Sequence, residues 1–333
     1  PSAGPEQVVY ECGGHLYRFD PGSDASTRIP VELGGDFHAT LPAFRNVQDN
    51  IASAELSPSG KRALFGARGD VFTAPAEHGE VRNLTRTPGI REMDPTWSPD
   101  GRLVAYLSDR SGEYEISVRP QDGSGEERRV THDGDTWRFP PRWSPDGTKL
   151  AFGDKKQRLR YADIETGDVV DVDTSQGNDI QDYRWSPDSR WLVYTKTAES
   201  FFSSIHVHSL EEGRSHRLTG DGTNDFAPVF DPEGRYLYFL SDRDYELAFS
   251  GYEFNYLYVN PTRVYAATLE GDGPPILVPR SDEEEPKSDA EDDEESEDAD
   301  DEKPKPVVID VEGFASRVVA LPDPPADYRA LEA

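Results

Sequence analysis

The places where this chain could do chemistry are few. His206 and His208 lie two apart, Arg68-Gly-Asp70 spells an adhesion-type tripeptide, and Asp133-Gly-Asp135 and Asp221-Gly-Thr-Asn-Asp225 gather carboxylates around glycine. On a strand, residues two apart face the same side, so the histidines could share a metal ion given a third ligand. The sequence offers no candidate for that ligand, and histidines packed between sheets or facing solvent are the plainer reading. Arg68-Gly-Asp70 falls where a turn is needed before Val71. The two acidic segments carry fragments of a calcium loop without its alternating oxygen ligands and closing Glu. No Gly-x-Ser-x-Gly elbow is present, and neither a Gly-x-x-x-x-Gly-Lys-Ser/Thr nor a Gly-x-Gly-x-x-Gly phosphate cradle. The expectation is no catalytic residue, no metal and no cofactor.

The elements that would position any site repeat. Leu56-Ser-Pro-Ser-Gly60, Trp97-Ser-Pro-Asp-Gly101, Trp143-Ser-Pro-Asp-Gly147, Trp185-Ser-Pro-Asp-Ser189 and Phe230-Asp-Pro-Glu-Gly234 place prolines at steps of 41, 46, 42 and 45 residues. A forty-odd-residue period of short apolar runs and turns is the signature of propeller blades. Asp94–Trp97, Leu103–Leu107, Tyr114–Val118 and Arg128–Thr131 read as the four antiparallel strands of one blade. Pro suits the second position of the connecting turn and Gly its last. The same frame fits the other repeats. Val8–Tyr10, His15–Phe19 and Thr27–Val31 supply three strands of a further blade, and Val307–Ile309 and Arg317–Leu321 read as late strands of the blade that begins near Phe230. The fold class expected is therefore all-β, a propeller of four-stranded antiparallel blades with TolB-like repeats. Six blades are legible, and a seven-bladed parent is expected.

Two insertions break the period. Residues 241–263 hold an aromatic loop, either a binding surface or a lid on its own sheet. Residues 280–306 are acidic and low in complexity, and 281–302 carry fifteen Asp and Glu against one Lys. Such a segment repels itself and has almost nothing to bury, so a disordered insertion is expected. The formal charge of −30 and only eight lysines disfavour nucleic acid and anionic membranes, and no apolar run is long enough to span a bilayer. Cys12 is the lone cysteine, so packing alone must hold the fold. The chain starts at Pro1, and residues 1–333 read as one propeller domain excised from a longer polypeptide.

Longer blocks carry a resemblance. The run Gly60–Thr85, Ser111-Gly-Glu-Tyr-Glu115, Glu253-Phe-Asn-Tyr256 followed by Asn260-Pro-Thr-Arg263, and Asp310-Val-Glu-Gly313 before Arg317–Pro322 resemble the second propeller of tricorn-type serine peptidases. The resemblance covers essentially the whole chain. It implies a non-catalytic propeller of an oligopeptide-degrading serine peptidase, acting as passage and filter to an active site outside this segment. It also implies PDZ and catalytic segments elsewhere in the parent, assembly into a homo-hexamer, peptide substrates and a cytoplasmic setting, with periplasmic or secreted as alternatives. The Ser-Pro-Asp-Gly repeat by itself is shared with prolyl-oligopeptidase and dipeptidyl-peptidase propellers and with free-standing TolB-like interaction modules, which stay open as alternatives. In a propeller the first strand of each blade lines the axis. The links leading into those strands hold Arg91, Glu92, Asp94, Arg138, Asp182 and Asp225, the candidate substrate-channel residues.

Overall fold

A computed structural model describes all residues except 5, 33, 37, 39, 40, 42, 44, 45, 278–303 and 333, and the Glu246 side chain. The acidic stretch thus falls almost wholly outside the described residues. The chain forms two compact units, Pro1–Asn46 and Val47–Ala333.

The first unit is one antiparallel sheet in chain order, β1 (Ser2–Ala3), β2 (Val8–Cys12), β3 (His15–Asp20) and β4 (Ala25–Ile29). Gly13 and Gly14 turn β2 into β3 with φ of 57° and 74°. Both values lie in the left-handed region that a two-residue type I′ hairpin turn demands.

The second unit repeats the meander five times. Its sheets are β5 (Ile51–Leu56), β6 (Arg62–Ala67), β7 (Asp70–Pro75) and β8 (Arg82–Asn83); then β9 (Glu92–Trp97), β10 (Leu103–Ser108), β11 (Glu115–Pro120) and β12 (Arg128–Arg129). Next come β13 (Arg142–Trp143), β14 (Lys149–Gly153), β15 (Arg158–Asp163) and β16 (Val169–Thr174), followed by β17 (Tyr183–Trp185), β18 (Trp191–Thr197), β19 (Ser203–Ser209) and β20 (Arg214–Arg217). In the last sheet β21 (Asp225–Phe230) and β22 (Tyr236–Ser241) are followed by a separate hairpin, β23 (Glu246–Ser250) and β24 (Asn255–Val259). β25 (Arg263–Thr268) and β26 (Val319–Ala320) complete that sheet.

The recurring turn explains why each first strand reverses where it does. Ser98 Oγ donates to Asp100 Oδ1 at 2.6 Å and accepts the Leu103 amide at 2.9 Å, while the Gly101 amide donates to the Ser98 carbonyl at 2.8 Å. Ser144 and Asp146 repeat the pattern, as do Ser186 and Asp188. Gly101 and Gly147 close their turns at φ 70° and 71°. Ser189 stands at the same place with φ 62°, and its hydroxyl accepts the Asp146 amide of the preceding sheet at 3.0 Å. That bond offsets part of the cost of a left-handed serine.

Consecutive sheets pack face to face through apolar clusters. Leu64, Val71 and Leu84 meet Trp97, Val104 and Tyr106; Ala105, Leu107 and Ile116 meet Leu150, Phe152 and Ile164. Ala151 and Leu159 meet Tyr183, Leu192 and Tyr194, and Val193, Ile205 and Val207 meet Phe230, Leu237 and Phe239. The second strands are apolar on successive residues because both of their faces are covered in this way. This is the blade packing of a β-propeller.

Val307–Ile309 departs from expectation. It forms no strand, because the Val307 amide donates to Asp188 Oδ2 at 2.7 Å and its carbonyl accepts from Trp191 Nε1 at 2.9 Å. The fourth strand of that sheet comes from Val319–Ala320, paired with Tyr265 and Ala266.

Candidate functional site

The first strands β5, β9, β13, β17 and β21 lie side by side and are tied directly to one another. The Trp97 amide donates to Glu55 Oε1 at 3.4 Å, Trp143 Nε1 to the Thr96 carbonyl at 3.4 Å, and Trp185 Nε1 to the Arg142 carbonyl at 3.0 Å. The Ala227 amide donates to Asp182 Oδ2 at 2.6 Å. Trp143 and Trp185 therefore tie neighbouring first strands through their indoles, and Trp97 through its main-chain amide.

The residue just before Leu56 and before each recurring aromatic points to the opposite face from it. Those positions hold Glu55, Thr96, Arg142, Arg184 and Val229. Glu55 and Arg142 retain exposed surface. Even so, burial among the neighbouring strands pushes the Glu55 carboxyl up, against hydrogen bonds from Thr96 and Trp97 and the Arg142 charge. Burial, then the Arg142 charge, pulls the Arg184 guanidinium down. Glu55, Arg142 and Arg184 therefore lie within electrostatic reach of one another along the first strands. Burial also raises Asp94, against the pull of Arg91. Acidic Glu55 and Asp94 thus stand on β5 and β9, and basic Arg142 and Arg184 on β13 and β17.

The six residues singled out from the sequence separate into two groups. Arg91 is exposed, with its guanidinium 5.8 Å from the Trp137 ring centroid, and Asp94 and Asp182 are half-buried. Asp94 sits at φ 50°, in a bulge where β9 slips register against β10, and Ala227 of β21 repeats this at φ 52°. Such bulges re-aim side chains at the ends of first strands.

Glu92, Arg138 and Asp225 are instead 1%, 2% and 1% exposed. Glu92 accepts from Thr87 Oγ1 at 2.5 Å, and burial holds its carboxyl above the usual range despite that bond. Asp225 takes a two-pronged hydrogen bond from Arg243 at 2.8 and 2.9 Å. Arg138 reaches Glu115 at 2.9 Å, Asp133 at 2.8 Å and Thr131 Oγ1 at 2.7 Å, and its guanidinium stacks 4.8 Å from the Phe152 centroid. Asp133 also accepts from Arg160 at 2.5 Å. Burial alone would raise Asp133, but the hydrogen bonds from Arg160 and Arg138 bring it below the usual carboxylate range. Glu92 and Arg138 brace links between sheets, and Asp225 ties the start of β21 to the segment that follows β22.

His206 and His208 do share a side of β19. His206 stacks on Tyr194 at 5.6 Å and His208 Nδ1 meets Ser215 Oγ at 3.0 Å. Burial lowers both, His206 to about 4. Asp70 of the Arg68-Gly-Asp70 turn accepts from Thr85 Oγ1 at 3.1 Å, and Asp221 from Arg217 at 3.2 Å. Among the described residues no three of His, Cys, Asp and Glu converge as metal ligands would, and no helix is long and apolar enough to cross a membrane.

Sequence reasoning placed the charges in the links and missed Glu55, Arg142 and Arg184. The signal available was their register, two residues before the serine of each recurring Ser-Pro turn.

Comparison with known proteins agrees with the propeller fold. The sequence profile of a family described as "Tricorn protease second beta propeller domain" matches residues 51–333. The chain is 27% identical over 98% of its length to tricorn protease homolog 1 of Streptomyces coelicolor, covering 31% of that protein. It is 26% identical over 80% of its length to a tricorn protease homolog of Saccharolobus solfataricus, covering 24% of it. A crystal structure of the tricorn protease superposes with a TM-score of 0.68 at 19% identity, covering 98% of this chain and 30% of that one, which shows a shared fold. The chain thus spans about a third or less of these relatives.

Proposed function

The chain belongs to the family of the tricorn protease second β-propeller, and from that premise we propose that it is a non-catalytic passage through which a longer, oligopeptide-degrading serine peptidase admits its substrates. What supports this reading, beside the family, is the mixed charge along neighbouring first strands: Arg142 acts on both Glu55 and Arg184, and Arg91 on Asp94. A lining that carries both signs attracts the charged groups of peptides of varied sequence. Arg91, Asp94 and Asp182 form the rim. Glu92 and Arg138 hold the links that carry it, and Asp225 holds the start of β21. PDZ and catalytic segments outside this chain, a hexameric parent and a cytoplasmic setting complete the proposal.

Charge reversal tests it. In the full-length peptidase, Arg142→Glu with Arg184→Glu should lower kcat/KM for long acidic peptides several-fold, and leave dipeptide-sized reporters unchanged. The isolated chain should hydrolyse no peptide and take up no serine-hydrolase probe. Stoichiometric labelling of a serine, or equal effects on both substrate sizes, would overturn the reading.

A further inference from the structure

The β23–β24 hairpin is unlike everything else in the second unit. Elsewhere every described strand of the unit belongs to a four-stranded sheet, whereas β23 and β24 pair only with each other. Their register is unbroken from Glu246↔Val259 to Ser250↔Asn255. Leu247, Phe249, Tyr256 and Tyr258 share one face; Ala248, Leu257 and Val259 share the other. Both faces are exposed: Tyr252 and Phe254 at the tip are 93% and 81% accessible, and Leu247, Phe249, Tyr256, Leu257 and Tyr258 are all exposed. With Tyr245, these side chains present roughly 1,000 Å² of apolar surface, taking about 200 Å² per fully exposed large side chain. The face of Leu247, Phe249, Tyr256 and Tyr258 holds about half of it, within the range of a functional patch on a monomer.

The hairpin is also stiff. Phe249 packs edge-on against Phe254 at 6.4 Å and Tyr256 at 5.6 Å, and Tyr245 against Tyr258 at 4.8 Å. The outer edge of β24, Asn255-Tyr-Leu-Tyr-Val259, has no charge, no proline and no bulge to deter another strand. Soluble proteins usually guard such an edge.

We propose that this edge pairs with the same edge of a second copy of the chain. The sequence is self-complementary about Leu257. An antiparallel pairing centred there sets Leu257 against its own copy and Tyr256 against the second copy's Tyr258, giving two aromatic cross-strand pairs by symmetry. Two two-stranded ribbons, each marginal alone, become a four-stranded sheet. The absence of charge fits a like partner, since a hairpin meeting its own copy would set any charge it carried against the same charge. In an antiparallel meander the link between second and third strands leaves the sheet at the end where the first strand begins. The hairpin therefore stands at the rim end of its blade, and pairing brings two rim ends together. This inference does not depend on the passage.

Sedimentation analysis of the 333-residue chain tests it, with thermal melting to verify folding. The expected result is a dimer in the micromolar range. Tyr256→Lys with Tyr258→Lys sets lysine against lysine and should weaken it at least about tenfold. Tyr256→Lys with Tyr258→Glu sets opposite charges together in this register and should restore dimerisation. A monomer at all concentrations, an open-ended assembly, a dimer indifferent to the lysine pair, or equal dissociation of both double variants would each overturn the proposal.

Discussion

Replacing Arg138 by Met separates a buried brace from a solvent-facing rim residue. The guanidinium is 2% exposed and contacts Glu115 and Asp133 at 2.9 and 2.8 Å. Its removal leaves the buried Glu115 carboxylate without its cation, and ends the Thr131 bond and the Phe152 stack. Breaking one side of a buried ion pair costs about 3–5 kcal/mol. Asp133 keeps Arg160 and Glu115 keeps the Thr131 hydroxyl and the Gly134 amide, so the lower half of that range applies. For a unit of nearly three hundred residues, about 2 °C of melting temperature is lost per kcal/mol, or roughly 6–8 °C in all. The assay is calorimetric melting of the single variants Arg138→Met and Glu115→Gln and of the double. Each single should be destabilised by more than 2 kcal/mol, and the double by clearly less than their sum, because the second change removes the group the first left unpaired. A shift below 1 °C in Arg138→Met, or strict additivity, would refute the buried brace.

Three further outcomes follow from the same structure. His206 titrates near 4 when folded against about 6.5 unfolded, so it contributes stability above pH 6.5 that is lost as pH falls through 4, by at most about 3 kcal/mol; denaturant melts of His206→Gln should show less acid sensitivity in that window, and an unchanged pH profile would contradict burial of a neutral ring. A Cβ on Gly153 would lie 2.1 Å from the Ile180 carbonyl oxygen, so Gly153→Ala should cost about 2 kcal/mol or more in the same melts. Deleting 281–302 should leave the melting temperature nearly unchanged in moderate salt, since loop length costs only about 0.6 kcal/mol per doubling, and a loss of several degrees would show that the segment packs on the sheets.

Turn chemistry made the blades legible. Ser-Pro-Asp-Gly dictates local hydrogen bonds that recur whatever surrounds them, and the doubly covered second strands follow as apolar runs. Tertiary partners decided the rest. Arg138 read as a rim residue because a polar link gives no local sign that Glu115, twenty-three residues earlier, lies beside it. Val307–Ile309 read as a strand because its residues favour one, yet Asp188 and Trp191 use its backbone groups. Glu55, Arg142 and Arg184 are scattered in sequence and meet only once the first strands stand side by side. The aromatic insertion was legible as a loop of interest, but its pairing as a free hairpin was not.

The most direct test of the passage narrows its rim by a cross-link. In a full-length peptidase carrying Cys12→Ser to remove the exposed thiol, Arg91→Cys and Asp182→Cys would be bridged by a reducible bis-maleimide. The account predicts that long peptides slow several-fold while dipeptide-sized reporters do not, and that reduction restores the rate. Equal rates for both sizes, before and after reduction, would contradict it.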